Sequence, residues 1–348
     1  MTSSPTCRAV VFTGDERFEV REFSVPDPPP RGAVLRVEAV GMCGSDVAQW
    51  HGKVTLPGMR YPIVPGHEVV GVVHALAPDA DLGVEEGDRV AVDEVLRAPG
   101  PLRVYGYTAM DDSEEVGLYG GFGEYMRILP GTVLHRLTSA APPEELTLFE
   151  PLASALSWVR TAEVGPDTSV VIEGPGHQGL AVLQCVLAAG AERVVVTGTA
   201  SDAVRLDAAR AMGAQAVEVD AALDVVGELT DGQGADIVFD VTPAPAAVQG
   251  AIDLVRTGGL VVLAGLKERR PVQIISDDIV TRSLRVVAGN AFTPASLADA
   301  VRLLNEGSVD TAALRGATFD IDHVDEAIDL LLRRAPGRDA VRVSLRHT

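Results

Sequence analysis

The most constraining feature of this chain is a glycine cluster that follows a short apolar run in its second half. The run Ser169-Val170-Val171-Ile172 leads into Gly174-Pro175-Gly176-His177-Gln178-Gly179. Such glycines permit a tight turn, a close approach of ligand to backbone, and close packing of a helix on a strand. The pattern therefore predicts a Rossmann unit that holds a dinucleotide pyrophosphate, with Gly174, Gly176 and Gly179 as candidate cofactor-binding residues.

The surrounding sequence alternates between apolar runs and helical patterns. Helices are predicted at 177–189, 201–212 and 245–256, and strands at 170–172, 194–197, 237–240, 260–265 and 286–288. Alternation of this kind builds a parallel sheet with helices on both faces, because the crossovers are right-handed. We therefore expect an α/β, doubly wound Rossmann domain over residues 155–290.

The first part of the chain has a different pattern, with short strands separated by turns. Strands are predicted at 34–40, 69–73 and 89–92, which indicates a mostly antiparallel, partly open β-barrel as a catalytic domain over residues 1–154. Beyond residue 290, helical patterns at 296–305 and 325–333 precede a last strand at 340–345. We expect residues 291–348 to return to the first domain.

Composition excludes several classes of partner. The 348 residues suffice for two domains, and 47% of them are hydrophobic. The formal net charge of −20 argues against nucleic acid and anionic membrane surfaces, since both require a basic patch. No signal peptide and no apolar run of the ~20 residues that span a membrane is visible. The three cysteines form no disulfide framework, which favours a reducing cytoplasm.

Three segments carry residues that metals bind. Cys43 lies in Gly41-Met42-Cys43-Gly44-Ser45-Asp46, His67 lies between Gly66 and Glu68, and Glu150 precedes Pro151. A thiolate, an imidazole and a carboxylate form a set that catalytic zinc accepts, with a fourth position left for water or substrate. A Lewis-acid metal beside a hydride carrier indicates alcohol–carbonyl redox chemistry.

These segments occur in the order found in one superfamily. Together with Gly87-Asp88-Arg89-Val90 and Gly121-Phe122-Gly123-Glu124-Tyr125, the chain resembles the zinc-dependent medium-chain dehydrogenase/reductases over nearly its whole length. The resemblance implies a GroES-like first domain, an alcohol or ketone substrate, and a homodimer or homotetramer. It also implies that Cys43, His67 and Glu150 bind zinc, with Glu68 able to replace the zinc water in some members. Glu150 points to the polyol, sugar and butanediol branch, because alcohol dehydrogenases proper carry cysteine there.

Two residues after Cys43 have predicted catalytic roles. Ser45 has a hydroxyl that could pass the alcohol proton outward, and Asp46 could fix the tautomer of His67 by bonding its non-ligating nitrogen. Both residues could equally cap the helix that follows. Many relatives complete the proton relay with a histidine five positions after the cysteine, where this chain has Ala48. His51 is either the substitute or a surface-loop residue.

A second departure from the family concerns the structural metal. Relatives often carry four clustered cysteines between the Gly-Asp-Arg-Val strand and the Gly-Gly-Phe-Gly-Glu-Tyr segment. Residues 93–120 contain no cysteine, so we expect one catalytic zinc and no structural zinc. The acidic stretch 111–115 is interpreted as a solvated loop.

The choice between NAD and NADP depends on the end of the second Rossmann strand. NAD-binding proteins place a carboxylate there, but this chain has Gly198 followed by Thr199, which favours NADP. Arg205 is a candidate partner for a 2′-phosphate, while Asp202 could supply the missing carboxylate. Near the C-terminus, Arg342 is predicted to contact the pyrophosphate; an exposed charge on a strand is the alternative.

The sequence thus predicts a zinc-dependent oxidoreductase that transfers hydride between a secondary alcohol or polyol and NAD(P). Two alternatives remain open at this point. One is a zinc-free quinone or enoyl reductase on the same fold, and the other is a catalytically silent dinucleotide-binding protein.

Overall fold

The computed structural model describes residues 5–54, 56–97, 100–111 and 115–347. The chain forms two compact units. The first, called the β unit here, comprises Met1–Phe149, Val301–Thr311 and Arg315–Thr348, and the second, the parallel-sheet unit, comprises Glu150–Ala300 and Ala312–Leu314. The domain boundaries predicted from the sequence lie after residues 154 and 290.

The β unit is built on a seven-stranded sheet. Its path runs β16-β17-β3-β4-β5-β9, with β8 also paired to β3, and its neighbouring strands are antiparallel except for the pair β16–β17. The strands of this unit are β1 (Thr6–Phe12), β2 (Phe18–Ser24), β3 (Ala33–Met42), β4 (Glu68–Leu76), β5 (Arg89–Val92), β6 (Val95–Leu96), β7 (Arg103–Val104), β8 (Tyr125–Ile128), β9 (Leu134–Arg136), β16 (Ala317–Phe319) and β17 (Val343–Arg346). The predicted strands at 34–40, 69–73, 89–92 and 340–345 correspond to β3, β4, β5 and β17, and β17 pairs with β3.

Three helices accompany this sheet: α1 (Gly44–Trp50), α2 (Pro143–Leu146) and α10 (Val324–Leu331). One apolar core holds the unit together, and its largest fully buried rings are Phe12, Tyr105 and Phe122. Burial of each such ring contributes about 1.5–3 kcal/mol. The backbone at the ends of β3 and β4 is therefore held on a rigid support.

The parallel-sheet unit has six strands in the order β12-β11-β10-β13-β14-β15, and every neighbouring pair is parallel. Its strands are β10 (Ser169–Glu173), β11 (Arg193–Gly198), β12 (Gln215–Glu218), β13 (Ala235–Asp240), β14 (Val255–Leu263) and β15 (Arg285–Ala288). Strand order reverses at β10, and in such sheets ligands bind outside the carboxyl ends of the strands at that point. The predicted doubly wound fold is confirmed.

The remaining helices are α3 (Phe149–Thr161), α4 (His177–Ala188), α5 (Ala203–Ala211), α6 (Ala222–Leu229), α7 (Ala247–Leu254), α8 (Ser276–Thr281) and α9 (Pro294–Glu306). In the parallel-sheet unit, the sequence patterns did not predict α3, β12, α6 or α8. In β12 only Ala216 is buried, so this edge strand has no apolar pattern that would reveal it. In the part of the chain that the structure describes, every helix is too short or too polar to cross a bilayer.

Candidate active site

The site begins where β3 ends. Cys43 is the N-cap of α1, and its backbone N–H donates to Asp46 Oδ2 at 2.8 Å, which fixes the first turn of the helix. The half-buried Cys43 side chain therefore leaves the chain at the junction between strand and helix. Asp46 therefore caps α1, which is one of the two roles that the sequence allows for it.

His67 and Glu68 reach the same place from the start of β4. His67 Nε2 lies 3.5 Å from Cys43 Sγ, and His67 is only 5% exposed. One ligand atom each from Cys43, His67 and Glu68 come within 4.8 Å of one another. Sulfur, imidazole nitrogen and carboxylate oxygen are the donors that zinc prefers, so the residues present fit this metal.

Glu68 is held on one side and open on the other. Arg342 Nη2 donates to Glu68 Oε2 and, at 2.9 Å each, to the carbonyl and the hydroxyl of Thr147. No described residue offers a hydrogen bond to the buried Glu68 Oε1. Gly41 makes this packing possible, because a Cβ there would overlap both Glu68 and Arg342. A metal ion or an ordered water would satisfy this buried carboxylate oxygen.

Arg342 therefore has a partner that sequence analysis missed. It is 5% exposed, so the alternative of an exposed charge on a strand is wrong. Its contact with a dinucleotide pyrophosphate stays a prediction. Thr147 and Glu68 lie 195 and 274 residues away in the chain, and no local pattern announces such a pairing.

Asp46 faces the far side of the His67 ring. Asp46 Oδ1 lies 3.9 Å from His67 Nδ1, which is longer than a hydrogen bond, and among the described residues neither atom has a hydrogen-bond partner. Burial raises the pKa of Asp46, while the neighbouring His67 and the Cys43 backbone N–H oppose that rise. A role for Asp46 in fixing the tautomer of His67 stays a prediction, because the two atoms do not form a hydrogen bond in this structure.

Ser45 has two neighbours at the site. Its Oγ lies 2.7 Å from Cys43 Sγ, and it accepts a hydrogen bond from the Tyr107 hydroxyl. The Tyr107 ring also lies against His67, with 4.8 Å between ring centroids. Burial, reinforced by Cys43 and Asp46, raises the pKa of Tyr107 well above its ordinary value, so the phenol keeps its proton. The sequence did not identify Tyr107 as a candidate site residue, because its only distinguishing feature is an aromatic side chain in the cysteine-free segment 93–120.

His51 lies at the C-terminal end of α1, and its Nδ1 is 2.7 Å from Glu16 Oε1. Glu16 is about half exposed, so this pair faces solvent. This contact with an exposed residue agrees with the interpretation of His51 as a surface-loop residue. A role in a proton relay stays a prediction.

Glu150 is the first residue of the parallel-sheet unit and lies in the first turn of α3. Ser154 Oγ donates to Glu150 Oε1 at 3.4 Å. The group formed by Cys43, His67 and Glu68 belongs entirely to the β unit. Zinc binding by Glu150 therefore stays a prediction.

The glycine cluster forms the turn between β10 and α4, as predicted. Gly176 is the N-cap of α4, and a Cβ on it would meet no atom within 4 Å. A Cβ on Gly179 would instead overlap the Gly174 carbonyl oxygen. The turn therefore leaves open space in front of a helix N-terminus, where backbone N–H groups and the helix dipole favour a phosphate.

The end of β11 shows why Gly198 replaces a carboxylate. A Cβ there would lie 2.8 Å from Pro175 Cγ, so the proline in the glycine cluster fills the space. Asp202 Oδ2 accepts hydrogen bonds from the Thr199 N–H at 2.9 Å and the Thr199 hydroxyl at 2.7 Å. Arg205 Nη1 donates to Asp202 Oδ1 at 3.1 Å. Asp202 thus caps the turn after β11 and pairs with Arg205.

A buried ionisable group, also missed by sequence analysis, lies next to the glycine cluster. Glu173 and Asp240 are the last residues of β10 and β13, and Lys267 Nζ lies 2.6 Å from Asp240 Oδ2. Burial, reinforced by Asp240, raises the pKa of Glu173 well above its ordinary value. The neutral form of Glu173 is therefore favoured beside the turn that would hold the phosphates.

The described part of the cysteine-free segment 93–120 contributes apolar and aromatic side chains to the core of the β unit. β6 and β7 form a two-stranded sheet, followed by the buried Tyr105 and Tyr119. Tyr119 donates to Asp111 Oδ2 at 2.8 Å. Of the other residues in the predicted acidic loop, Glu115 is exposed, and residues 112–114 lie outside the described residues.

Two known protein families match this chain, one in its first part and one in its second part. The family described as "Alcohol dehydrogenase GroES-like domain" matches residues 29–139, and the family described as "Zinc-binding dehydrogenase" matches residues 179–306. A protein of Mycobacterium tuberculosis described as a probable alcohol dehydrogenase is 35% identical over 98% of this chain and 98% of its own length. A sorbitol dehydrogenase of Halalkalibacterium halodurans is 31% identical over 92% of this chain and 94% of its own.

Among solved structures, a protein of Sinorhizobium meliloti assigned as a zinc-binding dehydrogenase and bound to NADP has a TM-score of 0.84. It is 26% identical, and the match covers 99% of this chain and 100% of that one. An NADH complex from Escherichia coli, with a TM-score of 0.82 and 23% identity, has the same fold.

Proposed function

Because this chain belongs to the zinc-binding, medium-chain alcohol and polyol dehydrogenases, and is a nicotinamide-dependent oxidoreductase, we propose that it oxidises a polyol or other secondary alcohol at the site of Cys43, His67 and Glu68. The observation that carries the proposal is the convergence of these three donors within 4.8 Å. The zinc-free reductase and the silent binding protein would have no use for it.

Zinc would be held by Cys43 and His67 together with a carboxylate. Glu68 is a candidate through Oε1, since Oε2 is engaged by Arg342, and Glu150 is the ligand implied by the sequence. Bound zinc would supply the Lewis acidity that lowers the pKa of the substrate alcohol, and a bound nicotinamide would supply the hydride acceptor. Asp46 would orient the His67 ring, and Ser45 Oγ would exchange the substrate proton.

The function is tested by an activity screen. The purified enzyme is expected to reduce NAD(P) with polyols, sugar alcohols or secondary alcohols, and to lose that activity after removal of metal by a chelator. Zinc, added back, should restore it. If the metal-free protein instead used NAD(P)H to reduce quinones or enoyl substrates, the proposal would be contradicted.

We expect about one zinc per chain. The single cluster proposed here has a complete donor set, and residues 93–120 contain no cysteine for a second thiolate site. Elemental analysis of protein purified without added metal measures this ratio. Two tightly held zinc ions per chain would show that donors other than cysteine form a structural site.

NADP is the proposed preferred cofactor, with Gly174, Gly176, Gly179, Gly198 and Thr199 at its binding site. Gly198 supplies no carboxylate to repel a 2′-phosphate, and the NADP complex from Sinorhizobium meliloti gives one precedent among similar folds. Asp202 is 5% exposed and engaged by Thr199 and Arg205, so it is poorly placed to bind a ribose hydroxyl. Arg205 is the candidate cation for the phosphate, although binding a phosphate would require it to exchange its present partner, Asp202.

Arg205→Gln is therefore expected to lower the ratio of kcat/KM for NADP to that for NAD by about 10- to 100-fold, since a hydrogen bond to a charged group contributes about 1.5–3 kcal/mol. Arg302→Gln removes an exposed arginine of α9 that pairs with Glu306, and should leave the ratio unchanged. A wild-type enzyme strongly selective for NAD would indicate that Asp202 turns towards the ribose.

A homodimer or homotetramer is the proposed assembly. β15 is an edge strand of the parallel sheet, and Val280 and Val286 nearby are exposed, at 77% and 39%. Exposed apolar side chains beside an unpaired strand edge favour association between copies.

A cytoplasmic location is proposed as well, because a reducing environment keeps the Cys43 sulfur available for metal.

A further inference from the structure

Tyr107 occupies a position in the β unit that the sequence motifs do not explain. It is 9% exposed, its hydroxyl donates to Ser45 Oγ, and its ring lies on His67. A buried tyrosine hydroxyl needs a hydrogen-bond partner, and here that partner is a residue of the segment that carries Cys43. The contact joins two segments that are 62 residues apart.

The turn that carries Tyr107 is fixed from three directions. Gly106 has φ +72°, and a Cβ on it would lie 2.5 Å from the carbonyl oxygen of Gly66, the residue before His67. Gln49 of α1, which is fully buried, donates through Nε2 to the Gly106 carbonyl at 2.7 Å. The Gly106 N–H donates to the Tyr119 carbonyl at 2.8 Å. The phenol is therefore placed by the Gln49 side chain, which follows Cys43, and by the Gly66 backbone, which precedes His67.

The proton arrangement at Ser45 follows from this geometry. A serine hydroxyl has one proton to donate and two lone pairs to accept with. Because Tyr107 donates to Ser45, that proton is free to point towards Cys43 Sγ, 2.7 Å away, and the ligand group around it. Hydrogen bonds that run in the same direction strengthen each other, so Tyr107 also makes Ser45 a better donor.

The geometry points to Tyr107 as a positioning residue that orients the hydroxyl of Ser45 towards the metal-ligand group. The inference rests on the proposed function, because Cys43 is the proposed zinc ligand and the second lone pair of Ser45 would accept the proton of the substrate alcohol. It differs from the relay through His51, whose imidazole contacts Glu16. The hydroxyl of Tyr107 acts only through Ser45, whereas its ring contacts His67, and an experiment can separate the two.

A double-mutant cycle tests that property with the best alcohol from the activity screen. Tyr107→Phe keeps the ring on His67 and is expected to lower kcat about tenfold, the effect of one hydrogen bond. In the Ser45→Ala background the same substitution should have no further effect. An equal loss in both backgrounds, or a wild-type kcat for Tyr107→Phe, would overturn the inference.

Tyr105→Phe is the matched control. Tyr105 is fully buried, and its hydroxyl bonds Thr132 at 2.7 Å and accepts the Leu129 N–H at 2.7 Å, away from Ser45. This variant is expected to lower the melting temperature while kcat stays near wild type. A tenfold loss of kcat in Tyr105→Phe would mean that any buried hydroxyl in this segment has the effect, and would count against Tyr107.

The cobalt-substituted enzyme provides a readout that does not depend on turnover. Loss of the Tyr107 hydroxyl weakens donation from Ser45 to the Cys43 sulfur, so the thiolate-to-cobalt charge-transfer band is expected to move to longer wavelength in Tyr107→Phe and Ser45→Ala. It should stay in place in Tyr105→Phe. A band unmoved by Tyr107→Phe would overturn the inference, whereas a wild-type enzyme without metal-dependent alcohol oxidation would instead refute the proposed function.

Discussion

Replacement of Cys43 by alanine is expected to lower kcat/KM for alcohol oxidation by about 10³-fold or more, together with loss of zinc. The sulfur is one of three donors that lie within 4.8 Å of one another, and its removal leaves an imidazole and a carboxylate to hold the metal. A Lewis acid contributes several kcal/mol to the transition state, and each 1.36 kcal/mol is a factor of ten in rate. Steady-state kinetics and elemental analysis of the same preparation measure both effects.

Cys7→Ala is the matched control for this experiment. Cys7 is a buried thiol of β1, and burial raises its pKa to about 11, so it is a poor metal ligand at neutral pH. The control should keep zinc and activity, and dinucleotide binding should survive in both variants. A Cys43→Ala enzyme with near wild-type rates would mean that the reaction proceeds without this metal site.

The same assays divide the roles of the two carboxylates. If Glu150 is the permanent ligand, Glu150→Gln should lose zinc while Glu68→Gln keeps it. The opposite outcome would assign the metal to the group that the structure brings together, with Glu68 Oε1 as the ligand atom.

Gly179→Ala is expected to have the second large effect. The added Cβ would overlap the Gly174 carbonyl oxygen and lie 3.2 Å from Val241 Cγ2, so α4 must move away from the turn. Overpacking of this kind costs about 1–3 kcal/mol of the free energy of unfolding. Displacement of the helix N-terminus should also weaken dinucleotide binding about 100-fold, because the N–H groups no longer converge. Denaturant unfolding and nicotinamide fluorescence titration measure the two losses.

Gly176→Ala separates these two losses. Its Cβ would meet no atom within 4 Å, and its φ of −65° suits alanine, so stability should change by less than about 0.5 kcal/mol. The methyl group would nevertheless stand in the open space before α4 and weaken dinucleotide binding. If Gly176→Ala binds the cofactor as the wild type does, the pyrophosphate does not approach the backbone at this residue.

Much of the architecture was predictable because it is encoded in neighbouring residues. Runs such as 170–172 and 194–197 show a buried strand by their composition, and the glycines that follow them show where the chain turns. β12 escaped prediction because a short edge strand with one buried side chain carries no such pattern. The donor types at Cys43 and His67 could also be read directly, since zinc selects ligands by chemistry.

The sequence by itself determined the alternation of strands and helices in the second half, the donor atoms available for zinc, and the lack of cysteines for a second thiolate site. Only the tertiary structure decided that Arg342 holds Glu68, that Asp202 is engaged by Thr199 and Arg205, and that Tyr107 donates to Ser45. Periodicity and turn chemistry are local, whereas the partner of a buried side chain depends on how distant segments cross. At Tyr107 that crossing is set by Gly106 against Gly66, a backbone contact that no single segment of the sequence specifies.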